Sequence, residues 1–189
     1  MKKKIQNLKD HIIVCGFGRM GKNVCKELHE AGVDFVVVDK ITENFKNVPD
    51  NYLWMLGDAT SDQMLIDAGV DRASVLASMV DGDADSLYLT LAARSLNPEI
   101  KIIARVSNDS AKVKLMRAGA SEVVQPLLLS SRKVARTVLG DRAPERESSS
   151  PQEMKAKKHR VEEGSDWVDK GVLDIEDYLN SKVMAVVSE

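Results

Sequence analysis

Short apolar runs, each followed by a turn and an amphipathic stretch, recur along the first 140 residues of the chain. Six runs are predicted to be strands, at residues 12–15, 35–39, 52–57, 74–80, 101–106 and 122–125. Helices are predicted at residues 20–31, 62–68, 83–96, 109–118 and 128–139, and residues 40–51 are at most briefly helical. Several strand runs, such as residues 36–38, are continuous and β-branched, which favours burial on both faces of a parallel sheet. The alternation predicts an α/β fold with a doubly wound, parallel six-stranded sheet.

Residues at the predicted turns support these boundaries. Gly32, Gly69 and Gly119 each follow an alanine at the end of a predicted helix, where glycine commonly stops a helix. Thr60 begins a capping-box pattern that Gln63 completes. Asp83 is expected to cap the helix that begins there, because negative charge is favourable at a helix N-terminus.

The composition changes sharply after Gly140. Residues 141–158 contain almost no apolar side chains but include two prolines and three consecutive serines, which predicts a flexible linker at 141–159. Residues 160–189 are predicted to form a partial α+β piece that ends on an apolar strand at 183–187 and is too small to bury its own core. The lysine-rich residues 1–10 are predicted to be an N-terminal linker, so the folded domain spans residues 11–140.

Composition and charge exclude several classes of protein. The chain has 189 residues, of which 43% are apolar, and a net charge of −2, so it can bury a core and has no basic footprint for nucleic acid. It has no run of about 18 apolar residues and no signal peptide, which predicts a soluble, cytosolic protein. Its two cysteines, Cys15 and Cys25, lack the spacing of a metal site or disulfide framework and are expected to be reduced core thiols.

A glycine-rich segment directly follows the first predicted strand and opens the first long helix. Its residues are Gly16, Phe17, Gly18, Arg19, Met20 and Gly21. In a dinucleotide-binding unit the first glycine permits a tight turn, the second admits a pyrophosphate to the backbone, and the third lets helix and strand pack closely. Asp39 ends the second strand 18 residues after Gly21, where an acidic side chain accepts hydrogen bonds from ribose hydroxyls. The pattern predicts a Rossmann-like fold that binds NAD(H) or an adenine nucleotide.

Residues beside this segment leave the identity of the nucleotide open. The Asp39 carboxylate would repel a 2′-phosphate and so favours NAD over NADP, although Lys40 beside it softens that preference. Arg19 either reaches the terminal phosphate of a mononucleotide such as ADP or ATP, or is a solvated side chain on the first helical turn. In the former case AMP, ADP or ATP replaces NAD as the expected ligand.

Two further positions are candidate contacts at the carboxyl edge of the predicted sheet. Asp58 and the Ala59 backbone follow the third strand, where they could hold an adenine. Arg105, near the end of the fifth strand, is placed either to bind phosphate or to form a salt bridge with a neighbouring acid. No metal ligands are predicted.

The sequence lacks a recognisable catalytic constellation. His11 precedes the first strand, His29 lies near the end of a helix and His159 lies next to the linker, so none has an evident relay partner. Tyr88 is followed four positions later by Ala92 and not by the lysine of a Tyr-x-x-x-Lys pair, and GxSxG, Walker and HExxH patterns are missing from the sequence. The chain is therefore predicted not to be an enzyme, and the alternative is a small NAD-dependent oxidoreductase.

Several segments follow the glycine loop and Asp39 in a distinctive order. They are Gly-Asp-Ala-Thr at 57–60, Ile-Ile-Ala-Arg at 102–105 and Ala-Gly-Ala-Ser-Glu-Val-Val-Gln-Pro at 118–126. Together they resemble the RCK domain, the regulator of potassium conductance, also called the TrkA N-terminal domain. The resemblance covers about residues 11–140, and residues 160–187 are similar to the opening of the C-terminal subdomain that follows in this family.

The resemblance implies a cytosolic, ligand-sensing regulatory domain that couples nucleotide binding to the gating of potassium flux. It implies that the glycine loop holds the ligand phosphates, that Asp39 holds the ribose, that Asp58 lies near the adenine and that Arg19 reaches a terminal phosphate in some relatives. Some channel relatives bind calcium at the ends of the fourth and fifth strands. The matching positions here hold Met79, Arg105 and Ser107, which do not suit that site.

The resemblance also implies an assembly at the inner face of the cell membrane. Family members form homodimers and octameric gating rings with a potassium channel or transporter, whose membrane component is on the same or another chain. The helix at 128–139 resembles the family's crossover helix, which packs on a partner subunit. Its broad apolar face predicts association independently, because a soluble domain must cover such a surface.

Overall fold

Six strands form a parallel sheet in the computed structural model, which describes residues 2–140. The strands are β1 (Ile12–Cys15), β2 (Phe35–Asp39), β3 (Leu53–Leu56), β4 (Val75–Ser78), β5 (Lys101–Arg105) and β6 (Glu122–Val124). They lie in the order β3-β2-β1-β4-β5-β6, and each neighbouring pair is parallel. The predicted doubly wound sheet is confirmed. The predicted linker at 141–159 and the predicted C-terminal piece at 160–189, including its strand at 183–187, lie outside the described residues.

Within residues 2–140, five helices lie at the predicted places, and one more precedes β1 in the segment that was predicted to be a linker. They are α1 (Lys2–Gln6), α2 (Arg19–Glu30), α3 (Asp62–Asp67), α4 (Asp83–Leu96), α5 (Asp109–Arg117) and α6 (Pro126–Leu139), with a short 3-10 helix at Thr42–Phe45. Pro126 occupies the first turn of α6. Backbone N–H groups in the first turn make no hydrogen bond within a helix, so the missing N–H of proline costs nothing there.

Apolar side chains cover both faces of the sheet. On one face Leu76 and Ile102 belong to a core that includes buried residues of α3, α4 and α5, and on the other Val14 packs with residues of α2 and the 3-10 helix. All five residues of β2 are buried, as its continuous β-branched run predicts. In β5 burial alternates instead, so Ile103 remains half-buried on the second face.

The strand order places a crevice at the carboxyl edge of the sheet. From β1 the chain runs outward to β2 and β3, and it then returns to β4 on the opposite side of β1. Connections therefore diverge between the carboxyl ends of β1 and β4. In doubly wound sheets this reversal of strand order leaves the opening where ligands bind.

The N-terminal segment, predicted to be a linker, is attached to the domain. Its helix α1 places Ile5 in the core, where this side chain is 1% exposed. Arg72 donates from Nε to the carbonyl oxygen of Leu8 at 3.0 Å and from Nη2 to that of Ile5 at 3.2 Å. The backbone N–H of Asp10 in turn donates to the carbonyl oxygen of Arg72 at 2.9 Å. The segment is thus held by the loop that precedes β4.

The predicted capping box at the start of α3 is wrong. Ser61 occupies the N-cap position, and no side chain caps the helix. The Thr60 hydroxyl donates to Oδ1 of Asp58 at 2.8 Å, while Gln63 donates to Asp67. The Thr60 hydroxyl is therefore engaged in a local hydrogen bond with Asp58 and does not cap the helix.

The predicted cap of α4 is also wrong. Gly82 is the N-cap and Asp83 is the first residue of the helix. The Asp83 carboxylate accepts hydrogen bonds from the backbone N–H of Ser107 at 2.9 Å and from Nδ2 of Asn108 at 2.7 Å. Asp83 keeps its favourable place at the helix N-terminus, but it ties α4 to the loop after β5.

Helix α6 differs from α2–α5 because none of its residues is buried. Leu127, Val134 and Val138 are 82%, 62% and 79% exposed, and they give the helix an apolar surface. Within residues 2–140, no helix is both long enough and apolar enough to cross a bilayer.

Candidate functional site

The glycine-rich loop joins β1 to α2 at the crevice. Gly16 has a φ of +101°, a backbone conformation that L side chains rarely adopt. A Cβ at Gly16 would lie 2.9 Å from the carbonyl carbon and oxygen of Met79, at the end of β4. A Cβ at Gly21 would lie 1.9 Å from the carbonyl oxygen of Gly16. The fold itself therefore requires the first and third glycines of the motif.

Gly18, the second glycine of the motif, has no such role in the described fold. Its φ of −72° suits any residue, and a Cβ there would meet nothing within 4 Å. Gly18 is the N-cap of α2, a position where serine, aspartate or asparagine stabilises a helix more than glycine does. In dinucleotide-binding units the second glycine of this motif admits a pyrophosphate to the backbone.

Asp39 is buried at the end of β2 and bonded to the glycine loop. Its carboxylate is 7% exposed. Its Oδ2 accepts hydrogen bonds from the backbone N–H of Phe17 at 2.5 Å and from Nδ2 of Asn44 at 3.0 Å. Its Oδ1 accepts one from the backbone N–H of Ile41 at 2.7 Å. The carboxylate therefore fixes the position of the loop that joins β1 to α2.

The side chain of Phe17 points into the protein and is buried. Its ring stacks on Phe45 of the 3-10 helix with a centroid separation of 5.6 Å, and Phe45 stacks on Trp54 of β3 at 4.4 Å. Lys22 lies over the Phe17 ring at 5.5 Å. Because the ring is engaged in this stack, Phe17 can offer a ligand only its backbone, of which the N–H already donates to Asp39.

Charged side chains surround the crevice. Lys40 follows Asp39 and pairs with Asp85 in the first turn of α4, with an N–O separation of 3.5 Å. Arg105 pairs with Asp81 and also donates to the carbonyl oxygen of Val80 at 3.3 Å. Of the two sequence alternatives for Arg105, the structure thus contains the salt bridge.

Arg19 is the one cation of the motif itself. It is exposed on the first turn of α2 and forms no ion pair or hydrogen bond with the other described residues through its side chain. Its guanidinium is therefore available to an anion bound at the N-terminus of the helix, where the helix dipole also favours negative charge.

Asp58 and Ala59 lie where β3 ends. Hydrogen bonds from the backbone N–H and the hydroxyl of Thr60 lower the pKa of the exposed Asp58 carboxyl, so Asp58 presents a negative charge at neutral pH. Ala59 is buried in the core, which leaves its backbone as its only possible ligand contact.

The sequence model of the TrkA-N domain family matches residues 12–126, a range that contains all six strands of the sheet and the whole glycine loop. The chain belongs to the TrkA-N domain family. The predicted resemblance to RCK domains is thereby confirmed.

Relatives of this TrkA-N domain include potassium channel proteins. The probable potassium channel protein 2 of Methanocaldococcus jannaschii is 40% identical over 139 residues, which are 71% of this chain and 40% of the relative. Potassium channel protein 1 of the same organism is 36% identical over 142 residues, which are 74% of this chain and 43% of that relative. The chain thus spans about two fifths of the length of these relatives.

Solved structures show the same fold. The crystal structure of GsuK bound to ADP is 30% identical with a TM-score of 0.61, over 70% of this chain and 35% of that chain. The GsuK channel bound to NAD is 30% identical with a TM-score of 0.60, over 69% of this chain and 23% of that chain.

The structure gathers most of the predicted site residues at the carboxyl edge of the sheet. Gly16, Gly18, Gly21 and Arg19 line the turn from β1 into α2, and Asp39 contacts that turn directly. The side chains of Phe17, Met20 and Ala59 are instead packed in the apolar clusters. The side chains of these three residues therefore belong to the core.

Sequence reasoning missed Asn44, which bonds the Asp39 carboxylate directly. No motif marks this residue, since it lies in a short turn whose contact with Asp39 depends on the 3-10 conformation. An asparagine five residues after Asp39, in a segment without regular structure, was the available signal.

Both cysteines and His11 are buried within residues 2–140. Cys15 and Cys25 are free and buried, as predicted, and burial raises the pKa of each thiol to about 12. His11 is buried with its Nε2 2.9 Å from the carbonyl oxygen of Ala68. No cluster of three His, Cys, Asp or Glu side chains in this part of the chain is arranged to hold a metal ion.

Proposed function

We propose that this TrkA-N domain binds an adenine nucleotide or NAD(H) between the carboxyl ends of β1 and β4, and that binding regulates a potassium channel or transporter. The observation that carries the proposal is Gly18. The described fold does not need a glycine at this position, whereas a ligand phosphate on the N-terminus of α2 does.

Each part of the nucleotide has a matching group. Backbone N–H groups at the start of α2 face the phosphates, and Asp39 accepts from the ribose hydroxyls. Asp58 lies at the end of β3, beside the place of the adenine. Arg19 is the unpaired cation that would reach a terminal phosphate, and its role distinguishes ADP or ATP from AMP. The ADP and NAD in the two GsuK structures support both ligand classes.

The proposed role in regulating potassium flux is supported by the similarity of this chain to potassium channel proteins. Two potassium channel proteins match this chain over two fifths of their length, so the domain is one part of proteins whose names describe potassium channels. We place the domain in the cytoplasm at the inner face of the membrane, with its channel or transporter component on the same or another chain.

Association of two chains follows from the surface of α6. Leu127, Val134 and Val138 are exposed on a helix without buried residues, and a soluble protein covers such a surface. A symmetric dimer through α6 meets that need with one self-complementary patch. Rings of such dimers, up to an octamer, follow if the pore component imposes a higher symmetry.

The proposed role is not enzymatic. His11 is buried at the start of β1, far along the strand from the crevice at its carboxyl end, and His29 lies in the last turn of α2, where it contacts Asn51. Neither is placed to exchange a proton with a substrate at the nicotinamide end of the site. These positions favour the sensing role over the NAD-dependent oxidoreductase.

Calorimetric titration tests nucleotide binding directly. NAD, NADH, AMP, ADP and ATP are titrated into the full chain at micromolar concentration, with NADP as the comparison ligand. We expect at least one of the five to bind at one site per chain and NADP to bind more weakly than NAD. If none of the five binds at millimolar concentration, the proposal is overturned.

A further inference from the structure

Asn44 holds the carboxylate that the ribose is proposed to use. Its Nδ2 donates to Oδ2 of Asp39 at 3.0 Å. Asn44 is half-buried in the 3-10 helix that follows β2, beside the glycine loop. It is the one side-chain donor to Asp39 among the described residues, since the other two donors are backbone N–H groups.

The Asp39 carboxylate has few acceptor positions left. A carboxylate offers about four lone-pair sites on its two oxygens. In the structure Phe17 and Asn44 fill Oδ2, and Ile41 fills one site of Oδ1. One site on Oδ1 therefore remains for a ribose hydroxyl, whereas a second hydroxyl directed at Oδ2 meets the Asn44 amide.

The three donors differ in how easily they can move away from the Asp39 carboxylate. The N–H of Phe17 belongs to the glycine loop, and stacking of the Phe17 ring on Phe45 fixes this residue in place. The N–H of Ile41 lies two residues after Asp39 in the same chain segment. Asn44 reaches Asp39 through a side chain with two rotatable bonds, so rotation of those bonds releases Oδ2 without moving the backbone.

We propose that Asn44 is a specificity-determining residue of the nucleotide site. Its amide occupies the second ribose-hydroxyl position on Asp39 in the free domain, and a ligand with both hydroxyls displaces it. This inference rests on the proposed nucleotide binding. Asn44 therefore weakens binding of the ribonucleotide and narrows the difference in affinity between ribose and deoxyribose ligands.

The test compares ribose and deoxyribose ligands on matched variants. ADP, 2′-deoxy-ADP and 3′-deoxy-ADP are titrated by calorimetry into the wild-type chain, Asn44→Ala and Asn47→Ala. Asn47 is an exposed asparagine three residues further along, so its variant controls for loss of an amide in this segment. Asn44→Ser, whose side chain is too short to reach Oδ2, repeats the test if the alanine variant fails to fold.

We expect Asn44→Ala to bind ADP about tenfold more tightly, because a hydrogen bond to a charged group no longer has to be broken. The gain should disappear for the deoxy ligand that lacks the hydroxyl facing Oδ2, and Asn47→Ala should match the wild type for all three ligands. Unchanged or weaker ADP binding to a folded Asn44 variant overturns the inference, as does an equal gain for all three ligands. If the wild type binds ADP and these gains are missing, nucleotide binding stands without the role of Asn44. If the wild type binds none of the three ADP ligands, the inference about Asn44 is overturned, whereas the proposed nucleotide binding is overturned only if NAD, NADH, AMP and ATP also fail to bind.

Discussion

Gly21 packs so closely on Gly16 that a Cβ on Gly21 would lie 1.9 Å from the Gly16 carbonyl oxygen. At Gly18, two peptide bonds after Gly16, the same addition meets open space. The fold therefore requires a glycine at position 21 but not at position 18. Substitutions at these two positions can separate an effect on folding from an effect on ligand binding.

Substitution of Gly18 should separate binding from stability. Gly18→Asp places a carboxylate at the N-cap of α2, which preserves or slightly raises the free energy of unfolding, but it also places negative charge where the phosphates approach. We expect nucleotide binding to be lost while the melting temperature holds. Gly21→Ala is the matched control, and the overlap should lower stability by about 1–3 kcal/mol. Wild-type nucleotide affinity in Gly18→Asp would place the site elsewhere.

Removal of the Asp39 carboxylate should affect both ligand and loop. Asp39→Ala loses the charged acceptor for ribose, so affinity should fall about tenfold or more and discrimination against NADP should shrink. The N–H groups of Phe17 and Ile41 also lose their acceptor, which should cost about 1–3 kcal/mol in a denaturant titration. Asp34→Ala, an exposed carboxylate before the same strand, is the control. If the affinity for NAD and the affinity for NADP are each the same in the variant as in the wild type, Asp39 is not part of the site.

Arg19 should distinguish ligands by their number of phosphates. Arg19→Ala removes a charge-assisted contact to a terminal phosphate, so ATP binding should weaken more than AMP binding in parallel titrations. Stability should stay within about 0.5 kcal/mol, because the side chain is exposed. Lys26→Ala, two turns further along α2, controls for a general loss of positive charge. Equal losses for ATP and AMP would show that Arg19 does not contact the terminal phosphate.

Charge on α6 should dissociate the dimer. Val134→Glu combined with Val138→Glu places two carboxylates on the exposed apolar surface, and burying them unpaired in an interface is costly. Sedimentation at micromolar concentration should show a dimer for the wild type and a monomer for the double variant. Val113→Glu with Met116→Glu, at exposed apolar positions of α5, serves as the comparison. A dimer that survives the α6 changes but not the α5 changes would move the interface to α5.

His11 should make stability fall on mild acidification. Burial lowers its pKa from 6.5, and this effect outweighs the opposing hydrogen bond with Ala68. Among the nearby charges, Arg72 lowers the pKa further, while Asp34 and Asp71 raise it. The unfolded chain therefore takes up the proton first, and stability present above about pH 6.5 is lost as the pH falls below it, by at most about 1.4 kcal/mol per pH unit. Denaturant midpoints between pH 7.5 and 5.5 should fall less steeply in His11→Gln. Identical slopes would show that His11 does not carry the effect.

The sheet and most of the site could be predicted because their signals are local. Val36, Val37 and Val38 give a strand its continuous apolar run, and the spacing of Gly16, Gly18 and Gly21 marks the turn into α2. The position of Asp39 could be predicted because one helix and one strand of ordinary length separate it from the glycine loop. Each of these features depends on residues that are close together along the chain.

Features that depend on distant partners could not be predicted in this way. Ile5 is one apolar residue among lysines and has no periodic pattern, yet Arg72 bonds its carbonyl from 67 positions away. Asp83 was expected to cap its own helix, but it contacts Ser107, 24 residues further along. Such contacts exist only after the sheet has brought separate segments together.

The Arg72 contacts give the N-terminal segment two mechanical connections to the sheet. The covalent connection runs from α1 into β1, whereas the hydrogen bonds of Arg72 to Ile5, Leu8 and Asp10 lead into β4. Tension applied to α1 is therefore divided between the two central strands. Because Gly16 at the end of β1 lies against Met79 at the end of β4, a force that shears these two strands would also act on the contact between the two sides of the crevice.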